Sequence, residues 1–93
     1  MKNIFHFVGG KEFKGDSKRT SDVFNPATGE VEAKVSLASK NDVDFAVKNA
    51  NEAFKEWSLT PPITRARILF KYKELIEKNS DELTKLIVAE HGK

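Results

Sequence analysis

Residues 25–37 read NPATGEVEAKVSL, and this stretch decides the fold of the first part of the chain. Asn25 favours a turn, Pro26 fixes its own φ, and Gly29 tolerates the left-handed region, so the chain is expected to reverse direction here. In the remainder of the stretch, apolar and polar residues alternate with a period of two. This alternation predicts a strand with one buried face and one solvated face.

Further strands are predicted on the N-terminal side of this turn. Ile4–Val8 is β-branched or aromatic apart from one histidine, and Gly9-Gly10 can form a two-residue hairpin turn into Lys11–Lys14. Val23-Phe24 leads directly into the Asn-Pro turn. Residues 1–37 are therefore predicted to form β-hairpins.

The second part of the chain, residues 39–93, is predicted to form three helices. The spacing of Ser39 and Asp42 is that of a capping box at the start of an amphipathic helix. Proline is excluded from helix interiors but is tolerated in a first turn, so the Pro61-Pro62 pair separates the first helix from the second. The predicted bounds are Ser39–Trp57, Pro62–Lys78, and from Asn79 or Ser80 to a C-terminal cap at Gly92.

The helical spacing also predicts a core. Apolar residues recur at i, i+3 and i+4 in the first helix, and in the second they cover more than a narrow stripe, which indicates contact on two sides. Four side chains are expected to be buried where these helices meet: Phe54, Trp57, Leu69 and Phe70. The predicted fold class is α+β, with strands first and helices after.

Composition bounds the function. The chain has 93 residues, 32% of them charged, a net charge of +2 and no Cys. These values predict a folded unit of at most one domain, and they give no support to a nucleic-acid or membrane partner. The N-terminal apolar stretch is too short for a signal sequence or a membrane span, so a cytoplasmic protein is expected. A sequence that ends one residue after a helix cap is also expected to continue in a longer subunit.

None of the motifs tested in this sequence indicates a catalytic site. A cysteine nucleophile and a zinc-thiolate site are excluded, and His6 and His91 do not have the spacing of a metal site. The glycines do not match phosphate-binding loops, and no nucleophile-elbow pattern is present. We therefore expect no catalytic, cofactor-binding or metal-binding residue within this segment.

The basic run Arg65–Lys73, which is interleaved with aromatic residues, allows two interpretations. It could contact nucleic acid, or it could be the solvated, salt-bridged face of a helix. Nearby acidic residues and the favourable Glu74 to Lys78 spacing favour the second interpretation.

Taken in order, several stretches resemble one family. They are Asn25–Val31 with the alternating strand after it, the capped Ser39–Trp57 helix, Pro61-Pro62, Arg65–Phe70 and Glu90–Lys93. Together they resemble the N-terminal segment of aldehyde dehydrogenases. Thr60–Pro62, Arg65–Phe70, Lys73–Leu75 and His91 are most similar to the CoA-acylating branch, that of methylmalonate-semialdehyde dehydrogenases.

This resemblance implies an enzyme several times longer than the segment. In that enzyme a cysteine thiolate attacks the aldehyde, NAD accepts the hydride, and CoA releases the acyl group with loss of carbon dioxide. The catalytic residues and the NAD and CoA sites are implied to lie beyond Lys93. Residues 1–93 would be the N-terminal part of the NAD-binding domain. A homotetramer and a place in valine and inositol catabolism are also implied.

The resemblance further implies one site to examine. Some family members bind a monovalent cation near positions that match Val23, Phe24 and Glu90. Two other functions stay open at this point. One is an aldehyde dehydrogenase that releases a free acid, and the other is a small stand-alone interaction domain whose basic helix binds a partner.

Overall fold

A computed structural model describes residues 2–92. Five short strands come first and three helices follow, which confirms the predicted α+β class. The strands are β1 (Lys2–Ile4), β2 (His6–Val8), β3 (Lys11–Phe13), β4 (Thr20–Phe24) and β5 (Val31–Ser36). The helices are α1 (Lys40–Trp57), α2 (Pro62–Lys78) and α3 (Ser80–His91).

Both predicted hairpins form. β2 and β3 pair antiparallel around Gly9 and Gly10, whose φ angles of 65° and 79° are those a two-residue hairpin turn requires. β4 and β5 also pair antiparallel, and the backbone N–H of Asn25 donates to the carbonyl of Glu30 at 2.9 Å across their turn. The Asn25 side chain accepts from the N–H of Ala27 at 2.9 Å, the local bond that makes asparagine a turn residue.

The prediction of one strand over Ile4–Val8 is wrong, because two strands of different sheets share that stretch. β1 pairs in parallel with β5 in a three-stranded sheet of order β1-β5-β4, whereas β2 belongs to the separate hairpin. The change of sheet falls at Phe5. Parallel partners are far apart in sequence, so no local pattern marks the pairing of Lys2 with Ala33.

The helices begin and end close to their predicted bounds. Ser39 and Asp42 form the full capping box, and α3 ends at Gly92 in the left-handed conformation. Of the two residues predicted for the start of α3, Asn79 is the N-cap, but it makes no side-chain capping bond to α3. Its amide donates back to the Leu75 carbonyl at 2.7 Å and so satisfies the end of α2 instead. No helix among residues 2–92 is both long and apolar enough to cross a membrane.

The predicted core between α1 and α2 is wrong. Phe70 is 68% exposed and Trp57 39% exposed, and Phe54 and Leu69 lie between these values. Among the described residues only Ala33 and Asp42 are buried. The chain is a slab of 48 × 35 × 16 Å, a thickness of little more than one helix with its side chains. In this shape the apolar helical faces meet no second layer.

Candidate functional site

The positions singled out for a cation lie where the three-stranded sheet meets α3. Val23 comes from β4 and Glu90 from the last turn of α3, and both line a cavity of about 70 Å³. Phe24 does not line it. Among residues 2–92 its lining consists of Lys2, Ile4, Val23, Glu32, Ala33, Leu86, Ala89 and Glu90.

The charges around this junction cavity, as we name the space lined by those residues, are mixed. Three of the lining residues are charged: Glu90 and Glu32 are acidic, and Lys2 is basic. Glu32 also accepts a hydrogen bond from the Asn25 amide at 2.8 Å. A hard cation takes several oxygen ligands, and residues 2–92 contain no group of three acidic or histidine side chains placed to hold a metal ion. The described residues therefore do not by themselves form a complete cation site at this cavity.

Sequence reasoning missed Glu32 and Lys2 in this cavity. Glu32 lies next to Ala33, which is the residue that β1 places opposite Lys2. The two residues line one cavity only because β1 and β5 pair in parallel across about thirty residues of sequence, and that pairing has no local signal. A strand alignment that included β1 would have been needed to find them.

A second group of polar residues fixes the start of α1. This group, the Asp42 cluster, comprises Gly15, Asp16, Ser39, Asn41 and Asp42. The Asp42 carboxylate accepts from the backbone N–H of Asp16 and from that of Ser39, each at 3.0 Å. The Asp16 carboxylate in turn accepts from the Ser39 hydroxyl and from the Asn41 amide. The loop after β3 is thereby tied to the N-terminus of α1.

The same contacts set the protonation of Asp42. The hydrogen bond from the Ser39 backbone lowers the pKa of the Asp42 carboxyl most; burial opposes this effect, and the bond from Asp16 adds to it. The net shift is downward, and a nearby positive charge on His6 would act in the same direction. A carboxylate at the third residue of a helix is also favoured by the helix dipole. Asp42 is therefore an anionic structural group and not a proton donor.

Asp42 also lines a cavity of about 180 Å³ between the β2–β3 hairpin and α1. His6 faces the same cavity, and its buried Nε2 atom has no hydrogen-bond partner within residues 2–92. The remaining walls are apolar, and the Phe13 and Phe45 rings lie 4.7 Å apart beside it. This half-open space is part of the contact between the hairpin and α1.

The described residues do not fit a dinucleotide cofactor. Such a cofactor binds at the carboxyl ends of several parallel strands, beside a glycine-rich turn that opens a helix. The three-stranded sheet contains one parallel pair, β1 with β5, and the helix that follows β5 begins with a capping box. We therefore derive no step of NAD chemistry from these residues.

The basic run Arg65–Lys73 lies on α2. Lys71 pairs with Glu74 at 3.5 Å, and Lys73 pairs with Glu77 at 3.6 Å. These pairs support the interpretation of a salt-bridged face, although the partner of Glu74 is Lys71 and not the predicted Lys78.

Many large apolar side chains lie on the surface of the chain. The chain exposes 7840 Å², whereas a compact monomer of 10.5 kDa exposes roughly 5,400 Å². The excess is about 2,400 Å², roughly three times what one partner buries in a standard protein interface. The most exposed large apolar side chains are Leu59, Phe7, Phe70, Val47, Phe54 and Ile63.

Comparison with known proteins identifies a matching family. The model of the aldehyde dehydrogenase family matches residues 13–93. A malonate-semialdehyde dehydrogenase from Oceanobacillus iheyensis is 48% identical over all 93 residues, which correspond to 19% of that relative. Another, from Bacillus cereus, is 52% identical over 97% of this chain and 18% of its own length.

Solved structures agree. A methylmalonate-semialdehyde dehydrogenase from Sinorhizobium meliloti, complexed with NAD, is 43% identical and superimposes with a TM-score of 0.95 over 98% of this chain and 18% of its own. The enzyme from Oceanimonas doudoroffii gives a TM-score of 0.93 over the same shares of the two chains, at 43% identity. The chain thus spans about a fifth of the length of these relatives and has the fold of an N-terminal part of theirs. The chain belongs to the aldehyde dehydrogenase family.

Proposed function

We propose that these 93 residues form the N-terminal part of the NAD-binding domain of a longer subunit. That subunit oxidises malonate or methylmalonate semialdehyde with NAD and delivers an acyl-CoA after decarboxylation. The observation that carries the proposal is the identity of about half the residues to malonate-semialdehyde dehydrogenases over nearly the whole chain. The NAD complex of the Sinorhizobium meliloti structure supports the choice of cofactor.

The role of the segment in this proposal is structural. The chain exposes about 2,400 Å² more surface than a compact monomer of its mass, and every large apolar side chain of α2 and α3 is exposed. Relatives that share the fold are about five times as long, so the remainder of the subunit can supply the missing layer. We propose that α1, α2 and α3 pack against that remainder and help to hold the NAD-binding domain together.

The assembly and the location of the protein belong to the same proposal. We propose a homotetramer in the cytoplasm that acts on a small aldehyde and contacts neither nucleic acid nor membrane. The modest net charge of +2 agrees with the absence of a strongly basic face. Size-exclusion chromatography with light scattering on the full-length polypeptide measures the assembly directly.

The experiment that tests the function uses CoA. The full-length polypeptide, expressed from its complete reading frame, is assayed at fixed NAD and malonate or methylmalonate semialdehyde. If CoA is needed to release the acyl group, NADH forms in one burst without CoA and at a steady rate with it. Steady turnover without CoA that yields a free acid would refute the CoA-acylating branch and favour the hydrolytic alternative within the same family.

The stand-alone interaction domain is a weaker alternative. Its distinguishing requirement is a reading frame that stops at Lys93 and a segment that folds as a monomer. The bare apolar surface argues against a stable monomer. A monomeric, cooperatively melting 93-residue protein would favour this alternative.

The junction cavity supports a subsidiary proposal, that a monovalent cation binds beside Glu90 and Val23. Two of its lining residues, Glu90 and Glu32, are acidic, which favours a cation, and one, Lys2, is basic, which opposes it. Thermal melting of the full-length polypeptide in potassium, sodium and a bulky organic cation at equal ionic strength tests it. Glu90→Gln should remove any ion-specific stabilisation, and equal melting temperatures in all three salts would contradict the proposal.

A further inference from the structure

Arg65 lies on the apolar side of α2, away from the other charges of that helix. From Arg65, steps of four, three and four residues lead to Leu69, Tyr72 and Ile76, and these steps keep to one face of a helix. The corresponding steps from Arg67 lead only to charged residues: Lys71, Glu74 and Lys78. The basic run is therefore divided between two faces, and Arg65 is the charge on the apolar one.

Burial separates the two arginines in the same way. On α2 only Arg65 and Ala66 are partly buried, whereas every other residue of the helix, Arg67 included, is exposed. The Nε atom of Arg65 is fully buried and has no hydrogen-bond partner within residues 2–92. In that part of the chain Arg65 also makes no ion pair, although Lys71 and Lys73 on the same helix are both paired.

The free-energy cost of an unpaired Arg65 depends on what covers the apolar face of α2. Leu69 and Tyr72 are about 60% exposed, so the layer that covers them will also cover the neighbouring guanidinium. A guanidinium that loses its water needs an anionic partner, because an unpaired buried charge is strongly destabilising. Among acceptors a carboxylate fits best, since its two oxygens match the planar N–H groups of arginine.

We propose that Arg65 forms a buried ion pair with an Asp or Glu side chain of the subunit outside residues 1–93. This inference rests on the proposed function only in taking the remainder of the subunit as the covering layer. The ion pair fixes the position of α2 against that layer, since an apolar face alone would tolerate sliding. Arg65 is thus a docking residue, and the neighbouring Arg67 is not.

The first test is chemical and uses the unmodified full-length polypeptide. Native protein is treated with phenylglyoxal, which reacts with accessible guanidinium groups, and the modified peptides are quantified by mass spectrometry. We expect Arg67 to be labelled at least about tenfold faster than Arg65, as an order-of-magnitude expectation for a buried against an exposed group. Equal labelling rates would overturn the proposal, and this readout needs no variant that folds.

The second test compares matched variants. Arg65→Met keeps the length of the side chain and removes the charge, and Arg67→Met makes the same change on the exposed face. We expect Arg65→Met to lower the Tm of the full-length polypeptide by roughly 5 °C or more and Arg67→Met by about 1 °C or less. Arg65→Lys should fall between them because it keeps the charge without the planar geometry.

A crystal structure of the full-length polypeptide decides the identity of the partner. A carboxylate oxygen within about 4 Å of the Arg65 guanidinium is expected, as for an ion pair. A guanidinium that faces solvent, or only backbone carbonyls, would overturn the proposal. An active enzyme with a freely labelled Arg65 would refute this inference and leave the proposed function standing, whereas a protected Arg65 in a protein without dehydrogenase activity would do the reverse.

Discussion

Two regions of the chain differ in where their tertiary contacts come from. One is the β2–β3 hairpin with the start of α1, and the other is the pair of helices α2 and α3. In the first region, the contacts that bury Asp42 come from within the chain, across 26 residues of sequence. In the second, each helix has a regular backbone, yet its large apolar side chains remain exposed. Large apolar side chains of the first region, Phe7 and Val47 among them, are exposed as well, so what is complete within the chain is the set of polar contacts around Asp42 and not the apolar packing.

The comparison also shows which interactions are independent of the missing layer. The Asp42 cluster joins the loop after β3 to the first turn of α1 through hydrogen bonds that are all internal. The contacts between α2 and α3 are few, and the two helices are joined mainly through their connection at Asn79. Substitutions within the Asp42 cluster should thus have the same effect in any context, and substitutions of the exposed apolar side chains of α2 and α3 should not.

The largest expected difference between contexts is at Leu69. In the full-length polypeptide, Leu69→Ala should cost about 2–5 kcal/mol of unfolding free energy, the usual cost of truncating a buried leucine. In the 93-residue chain alone the same change should cost less than about 0.5 kcal/mol, because Leu69 is 60% exposed there. Urea unfolding followed by circular dichroism measures both, and equal costs in the two contexts would refute the comparison.

At Gly15 the expected cost is smaller and independent of context. A Cβ at Gly15 would lie 2.5 Å from the Asp42 carboxylate, and φ is +77°. Gly15→Ala should cost about 1–3 kcal/mol from strain, and more if Asp42 has to move. Gly29→Ala is the matched control, because φ is +75° there but nothing lies within 4 Å of the added Cβ.

The difference between Gly15→Ala and Gly29→Ala isolates the contact with Asp42 from the backbone strain that both share. Chemical denaturation of the full-length variants provides the two values. A Gly15→Ala variant no less stable than Gly29→Ala would show that the loop is not held against α1.

The contribution of Asp42 should depend on pH. Its pKa in the folded protein lies below the ordinary value of 3.8, so its ionised form stabilises the fold above that pH. As pH falls below 3.8 and through the lower folded-state pKa, this stabilisation is lost. Asp42→Asn should therefore be less stable than wild type near neutral pH, and the difference should shrink in acid. Thermal melts from neutral to acidic pH provide the curve, and a constant difference would contradict this account.

The smallest expected effect is at an ion pair on α2. Lys71 and Glu74 are both about 70% exposed, and their pair at 3.5 Å is open to solvent and salt. Lys71→Ala should change the unfolding free energy by less than about 0.5 kcal/mol, in the full-length polypeptide as in the isolated chain. A larger loss in the full-length polypeptide would mean that this face is also covered.

The sequence predicted what depends on neighbours in the chain. The Gly9-Gly10 turn, the capping box of Ser39 and Asp42, and the start of α2 at Pro62 each rest on the chemistry of a few adjacent residues, and each is confirmed. The parallel pairing of β1 with β5 could not be predicted, because its partners are separated by about thirty residues. The burial of Phe70 was predicted on the assumption that an apolar face finds its cover within the chain.

The junction cavity shows the same division. Val23 and Glu90 were singled out by a resemblance, and the structure brings both to one cavity. Lys2 and Glu32 line that cavity only because of the strand order. Arg65 was assigned to the solvated face of α2, because its charge alone does not indicate which face of the helix it lies on. The hydrophobic and capping patterns of the sequence predicted where the helices lie. They did not predict which way individual side chains point, which only the structure shows.

The exposed apolar side chains of α2 and α3 also matter during synthesis of the polypeptide. In a polypeptide of the length of these relatives, roughly 400 residues follow Lys93. At about 5–20 residues per second, their synthesis takes on the order of 20–80 s, whereas a helix forms in about a microsecond. For most of that interval Leu69, Ile76 and Leu86 would be exposed on helices that have already formed, while the rest of the polypeptide is still being synthesised. In such a polypeptide the order of synthesis, more than the final contacts, would set how long these exposed apolar side chains are at risk of aggregation.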